Sequence, residues 1–108
     1  MFAVIYRSYL KPGREEEFQR AWRTVADYFI GHRGALGSCL HRGEDGLWVA
    51  YSRWPNRESR DSSWPKDEQS KINLPNEIAL AVALLKDCID DERKLTDLCL
   101  EVVDDKLC

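Results

Sequence analysis

Residues 34–55 read Gly-Ala-Leu-Gly-Ser-Cys-Leu-His-Arg-Gly-Glu-Asp-Gly-Leu-Trp-Val-Ala-Tyr-Ser-Arg-Trp-Pro, and they constrain the fold more than any other stretch. Two apolar runs, 36–42 and 47–54, flank Gly43-Glu44-Asp45-Gly46. An Asp-Gly pair between β-rich segments predicts a hairpin, because glycine accepts the positive φ that tight hairpin turns demand. Gly34 and Gly37 open the first run. Trp54-Pro55 closes the second, since proline has no amide to give the ladder.

Residues 2–10 are rich in β-branched and aromatic types, with Phe2, Val4, Tyr6, Ser8 and Leu10 on one parity and Ala3, Ile5, Arg7 and Tyr9 on the other. Both faces are mostly apolar, so a central strand covered on both sides is expected. Lys11-Pro12-Gly13 breaks it. From 14 to 32, Phe18, Trp22, Val25 and Phe29 recur at helical spacing with Ala21, Ala26 and Ile30 beside them, which places Trp22 and Phe29 in the core. Glu15, Glu16 and Glu17 suit the positive end of that helix, while His32 and Arg33 suit its negative end before Gly34. After the hairpin, Asn56 is expected to cap a short helix ending near Ser63. Trp64-Pro65 interrupts it, and residues 66–73 are polar, with room for one extra turn. Asn73 and Pro75 open a second long helix to about Asp90, striped by Ile78, Ala81, Val82, Leu85, Cys88 and Ile89. A last strand over 95–103 alternates Leu98, Leu100 and Val102 with Asp97, Cys99 and Glu101, one parity covered and the other partly wet.

The order β-α-β-β-α-β predicts one domain over 1–108 of the α+β class: a ferredoxin-like antiparallel sheet with helices on one face. Crossovers that span a helix are nearly always right-handed, which leaves few alternatives. The opposite sheet face is then apolar whichever parity of the first strand it receives. Water tolerates such a patch poorly, so pairing of two sheets in a homodimer, a dimeric α/β barrel, is expected. A net charge of −3 and an isoelectric point near 5.4 give no support for nucleic acid or an anionic membrane as partner. No run approaches the roughly 20 apolar residues of a membrane span, and the first residues do not read as a signal peptide. Cys39, Cys88, Cys99 and Cys108 lack CxxC spacing, which argues against zinc and for reduced thiols in a cytoplasm.

Lys11-Pro12-Gly13, Glu16-Glu17-Phe18, Trp22, Gly34-Ala35-Leu36-Gly37-Ser38, Trp48-Val49-Ala50-Tyr51 and Trp54-Pro55, set in this layout, resemble the antibiotic biosynthesis monooxygenase family. The likeness is clear over 1–64 and topological beyond. It implies a pocket between the sheet and the helices of one subunit. It also implies oxygenation of polycyclic phenols to quinones without metal or flavin, although other members degrade haem, oxidise quinols or have no known activity. Haem-degrading members use an Asn on the first strand, a Trp in the second helical region and a His about ten residues later. Here Trp64 matches the Trp, Tyr6 stands in the Asn position, and no histidine follows His41. Haem ligation is therefore not carried over. The Asn that cofactor-free members place a turn before the Trp is also missing: Arg60 and Asp61 occupy that turn.

Cofactor-free oxygenation needs an aromatic pocket, a hydrogen-bond acceptor or base, and a donor for the developing oxyanion. By that chemistry Trp64, Tyr6 and His41 are the catalytic candidates. Tyr51, Arg53 and Arg60 are the substrate-binding candidates, with Arg7 a further positive partner. Each has a plainer alternative. Trp64 could close the open end of the layer, Tyr6 could be a core tyrosine, His41 a surface or dimer-contact residue, and Arg53, Arg57 and Arg60 a solvated face. Three classes of function stay open: a small cofactor-independent oxygenase for a phenol or quinol, a dimeric binder of a small hydrophobic ligand, and a structural dimer whose pocket its own side chains fill.

Overall fold

The computed structural model describes residues 1–63 and 74–106. Four strands, β1 (Phe2–Ser8), β2 (Gly37–Arg42), β3 (Trp48–Trp54) and β4 (Leu98–Glu101), form one sheet in the order β2-β3-β1-β4. All neighbours are antiparallel. Helix α1 (Glu15–His32) links β1 to the hairpin, and the short α2 (Arg57–Ser63) and longer α3 (Asn76–Cys88) lie between β3 and β4. This is the ferredoxin-like α+β arrangement, with β1 central. Trp64 and the polar stretch 66–73 lie outside the described residues. Among the described residues, no helix is long and apolar enough to cross a membrane.

The hairpin closes as its glycine requires. Gly46 N–H bonds to Gly43 O at 3.2 Å, Gly43 N–H bonds to Leu47 O at 2.6 Å, and Gly46 sits at φ +86°. The Asp45 carboxylate accepts from Leu47 N at 3.2 Å and holds the turn from within. Gly46→Ala is expected to destabilise by about 1–2 kcal/mol, because a Cβ disfavours this left-handed conformation, not because it meets a neighbour. Urea unfolding of the variant checks this.

Helix boundaries follow local chemistry. Asn56 Oδ1 accepts from Ser59 N at 2.8 Å and caps α2. Helix α1 runs through Gly31. The chain then reverses at Gly34, φ +84°, where Ala35 N–H returns to Phe29 O. Helix α3 stops at Cys88 rather than Asp90, because the next residue leaves the helix to pair with β1's extension as the Leu10–Ile89 bridge.

Register decides which strand parity meets the helices. Phe2 pairs with Trp54, Val4 with Ser52, Tyr6 with Ala50 and Ser8 with Trp48. Phe2, Val4, Trp48, Ala50, Ser52 and Trp54 are buried, and α1 and α3 pack on this side. One cluster joins Phe2, Val4 and Trp54 to Val25, Phe29, Leu74, Ile78 and Val82. A smaller one joins Phe18, Trp48 and Cys88. The rings meet edge to face, Phe29 with Trp54 at 6.3 Å and Phe18 with Trp48 at 5.8 Å.

The other parity forms the open face. Ile5 pairs with Tyr51 and Leu98, and Ala3 with Arg53 and Leu100, so these side chains share it. The leucines of β4 are therefore not covered by the helices as their alternation alone suggests. They are 39% and 42% exposed, on the far side. The chain end crosses to the same face, where Asp105 pairs with Arg53.

Candidate functional site

A cavity of about 540 Å³ opens between the sheet and the two long helices. Phe18, Trp22, Val25, Ala26, Phe29 and Ile30 from α1 and Val82 and Leu85 from α3 give its apolar walls. The strands contribute Tyr6, Ser8, Ser38, Ala50, Ser52 and Trp54. Ser38 and Ser52 are direct cross-strand partners, so two small hydroxyl-bearing residues stand side by side where larger ones would fill the space. Lys86, Asp91, Lys94 and Asp97 form its charged end. That end is positioned by backbone bonds: Lys11 N–H to Cys88 O and Asp90 N–H to Tyr9 O, both 2.8 Å, tie the chain after α3 to β1's extension.

Tyr6 and Arg60 meet. An Arg60 Nη donates to Tyr6 Oη at 3.4 Å, and its other Nη donates to Asp61 at 3.1 Å. Burial pushes the Tyr6 phenol above its ordinary value, and Arg60 only partly offsets this, so the phenol is neutral at pH 7. For Arg60 burial works against the charge, but its bonds to Tyr6 and Asp61 outweigh it, and the guanidinium stays protonated. Asp97 is raised by burial against the pull of Arg60, Lys94 and Arg7. Arg7 in turn donates to Thr96 O at 2.9 Å, bracing the segment that carries Asp97.

His41, Tyr51 and Arg53 stand elsewhere. Strand parity turns all three to the open face, so the sheet separates them from Tyr6 and from the cavity. His41 is exposed, with Nε2 3.5 Å from Cys39 Sγ and Nδ1 3.3 Å from Val49 O. Trp64 lies outside the described residues. Trp22, expected in the core, is only half-buried and lines the cavity. Ser38, Ser52 and Asp97 are further lining groups that were not among the sequence candidates. The signal for Ser52 was present: it is the one polar residue between Trp48, Ala50 and Trp54 on the helix-facing parity of β3. Among the described residues, no cluster of three or more His, Cys, Asp or Glu side chains could hold a metal ion.

Comparison with known proteins agrees with this geometry. Rv0793 from Mycobacterium tuberculosis superposes with a TM-score of 0.70 at 16% identity, over 97% of each chain. A structure named antibiotic biosynthesis monooxygenase gives 0.68 at 18% identity, over 96% of this chain and 100% of that one. A conserved protein from Methanosarcina mazei Go1 gives 0.68 at 14% identity, over 92% and 89%. At these identities the likeness is one of fold. No curated protein matches the chain by sequence. The family profile described as antibiotic biosynthesis monooxygenase matches residues 1–64, more than half of the chain. With the strand order, the hairpin and the sheet–helix cavity already described, that match makes the chain a member of the antibiotic biosynthesis monooxygenase family.

Proposed function

We propose that the cavity takes a small aromatic phenol or quinol and that the protein oxygenates it with dioxygen without a cofactor. The observation that carries this reading is the contrast within the cavity. Aromatic and aliphatic walls surround most of it, while the Arg60–Tyr6 hydrogen bond sets a neutral donor backed by a fixed positive charge on one side. Such a pair suits an oxyanion that develops on a bound ring. In the balanced reaction a phenol and one dioxygen give a quinone and one water. Dioxygen accepts four electrons, one of its atoms becoming the new carbonyl oxygen and the other leaving as water.

The protein is proposed to act as a homodimer joined through the open sheet face, with Leu98, Leu100, Ile5 and Tyr51 at the contact. The free thiols Cys39, Cys88 and Cys99 fit a reducing compartment such as the cytoplasm. A second reading, saturable binding without turnover, draws on the neutral state of Tyr6, which leaves that phenol unable to act as a base.

Oxygen uptake and visible spectra with a panel of anthrones, naphthoquinols and haem separate these readings. Tyr6→Phe is expected to weaken binding or turnover of a phenolic ligand about tenfold, the worth of one hydrogen bond in a buried site. Binding of the panel without oxygen consumption leaves the binding module. A parent that binds none of these compounds removes both.

A further inference from the structure

We propose that Asp97 is the proton acceptor of the cavity, removing the hydroxyl proton of a bound phenol before dioxygen reacts. This rests on the oxygenase reading and supplies what that reading lacks, a base. Neutral Tyr6 cannot serve, and the lysines and arginines at the rim are cations. Neither His32 nor His41 lines the cavity. Among the described residues, Asp91 and Asp97 are the carboxylates that line it.

Geometry selects Asp97 of the two. In the β1–β4 register Phe2 faces Glu101, Val4 faces Cys99 and Ile5 faces Leu98. Asp97 is the residue just before β4, next to the last ladder pair, and it lines the cavity together with Tyr6. Among the described residues Asp97 makes no hydrogen bond or ion pair, so its lone pairs are uncommitted. Asp91 lies earlier in the chain, on the 3-10 segment Asp91–Arg93. The groups around Asp97 are Tyr6 and Arg7 of β1, Arg60 of α2, and Lys94 just before it. These cations favour the ionised carboxylate against the burial that raises it, and then face the phenolate that takes over its charge.

The step is charge-neutral. The ligand O–H bond breaks, the proton moves to an Asp97 Oδ, and both bonding electrons remain on the ligand oxygen. One negative charge is present before and after, in the same ring of positive groups. A carboxylate is a weaker base than a phenolate, so the arrangement favours ligands more acidic than plain phenol, such as hydroxylated polycyclic ketones.

The test follows oxygen uptake with 1,8-dihydroxyanthrone against pH for the parent, Asp97→Asn and Asp97→Glu. A base works only when ionised, so the parent's rate is expected to rise with pH through the Asp97 ionisation. Burial sets that limb above the ordinary carboxylate value of 3.8. Asp97→Asn is expected to lose the acid limb and at least about 100-fold in rate, the usual contribution of a general base. Asp97→Glu should restore a limb at a shifted pH. An Asp97→Asn protein that keeps the limb and a rate within about threefold of the parent overturns the proposal alone. A parent that consumes no oxygen with this probe overturns the oxygenase reading and the proposal together.

Discussion

Trp54→Ala is expected to lower unfolding free energy by about 3–5 kcal/mol, a large share of what a chain of this length holds in reserve. The indole is 2% exposed and sits where three elements converge. It pairs with Phe2 across the sheet, meets Phe29 of α1 edge to face, and joins the cluster that reaches α3 through Ile78 and Val82. Alanine removes the ring from a place already beside a cavity, so the walls have little on that side to collapse onto. The loss should fall near the upper end of that range. Its indole N–H is buried without a hydrogen-bond partner among the described residues, so Trp54→Phe keeps most of the apolar contact and sheds an uncompensated polar group. That variant should stay within about 1.5 kcal/mol of the parent, because volume-conserving changes in a core are tolerated. Urea midpoints for the two variants measure both effects. Equal losses would mean that the ring's packing is not what Trp54 contributes.

The second large effect concerns assembly. Sedimentation of the parent at micromolar concentration is expected to give twice the 12.5 kDa chain mass, and Leu98→Asp with Leu100→Asp to give the chain mass alone. In a two-fold dimer each leucine is buried twice, and each full burial is worth about 1.5–3 kcal/mol. Both leucines start 39% and 42% exposed, so the four contacts hold about 2–5 kcal/mol of burial, and carboxylates set against the same apolar surface weaken the dimer further. Both leucines lie on the sheet's outer strand and belong to neither core cluster, so the variant should keep its fold. A parent that sediments as a monomer would refute the dimer. An aspartate variant that stays dimeric would place the contact elsewhere.

Much of the architecture was legible because its determinants are local. Gly46 announces the turn through φ, Asn56 caps the helix it precedes, and the stripe from Phe18 to Phe29 marks one helix face whatever lies opposite. The cavity was not legible for a related reason. Periodicity says that Trp22 points inward but not whether anything meets it there, since a void has no residues of its own. Nor could β1 reveal its helix-facing side, because Phe2 and Val4 are about as apolar as Ala3 and Ile5. Pairing with β3 decides it, through a long-range register. His41, Tyr51 and Arg53 carry suitable functional groups, and that same register turns them to the open face. Asp97 read as the partly wet parity of a strand over 95–103, whereas β4 starts only at Leu98. Only the folded chain brings it to the cavity that Tyr6 also lines.

The cavity also separates shape from polarity. Most of its apolar contour comes from α1 and α3, whereas Tyr6, Ser8, Ser38 and Ser52 are fixed on strands by ladder bonds. Changes at Trp22, Ala26, Ile30 or Leu85 can widen, narrow or lengthen the space without moving any strand-borne hydroxyl. A chain organised this way can acquire a new cavity outline by substitution on its helices while the strand-borne hydroxyls stay in register. Selection for a different cavity outline would then leave its record on the helices and spare the sheet.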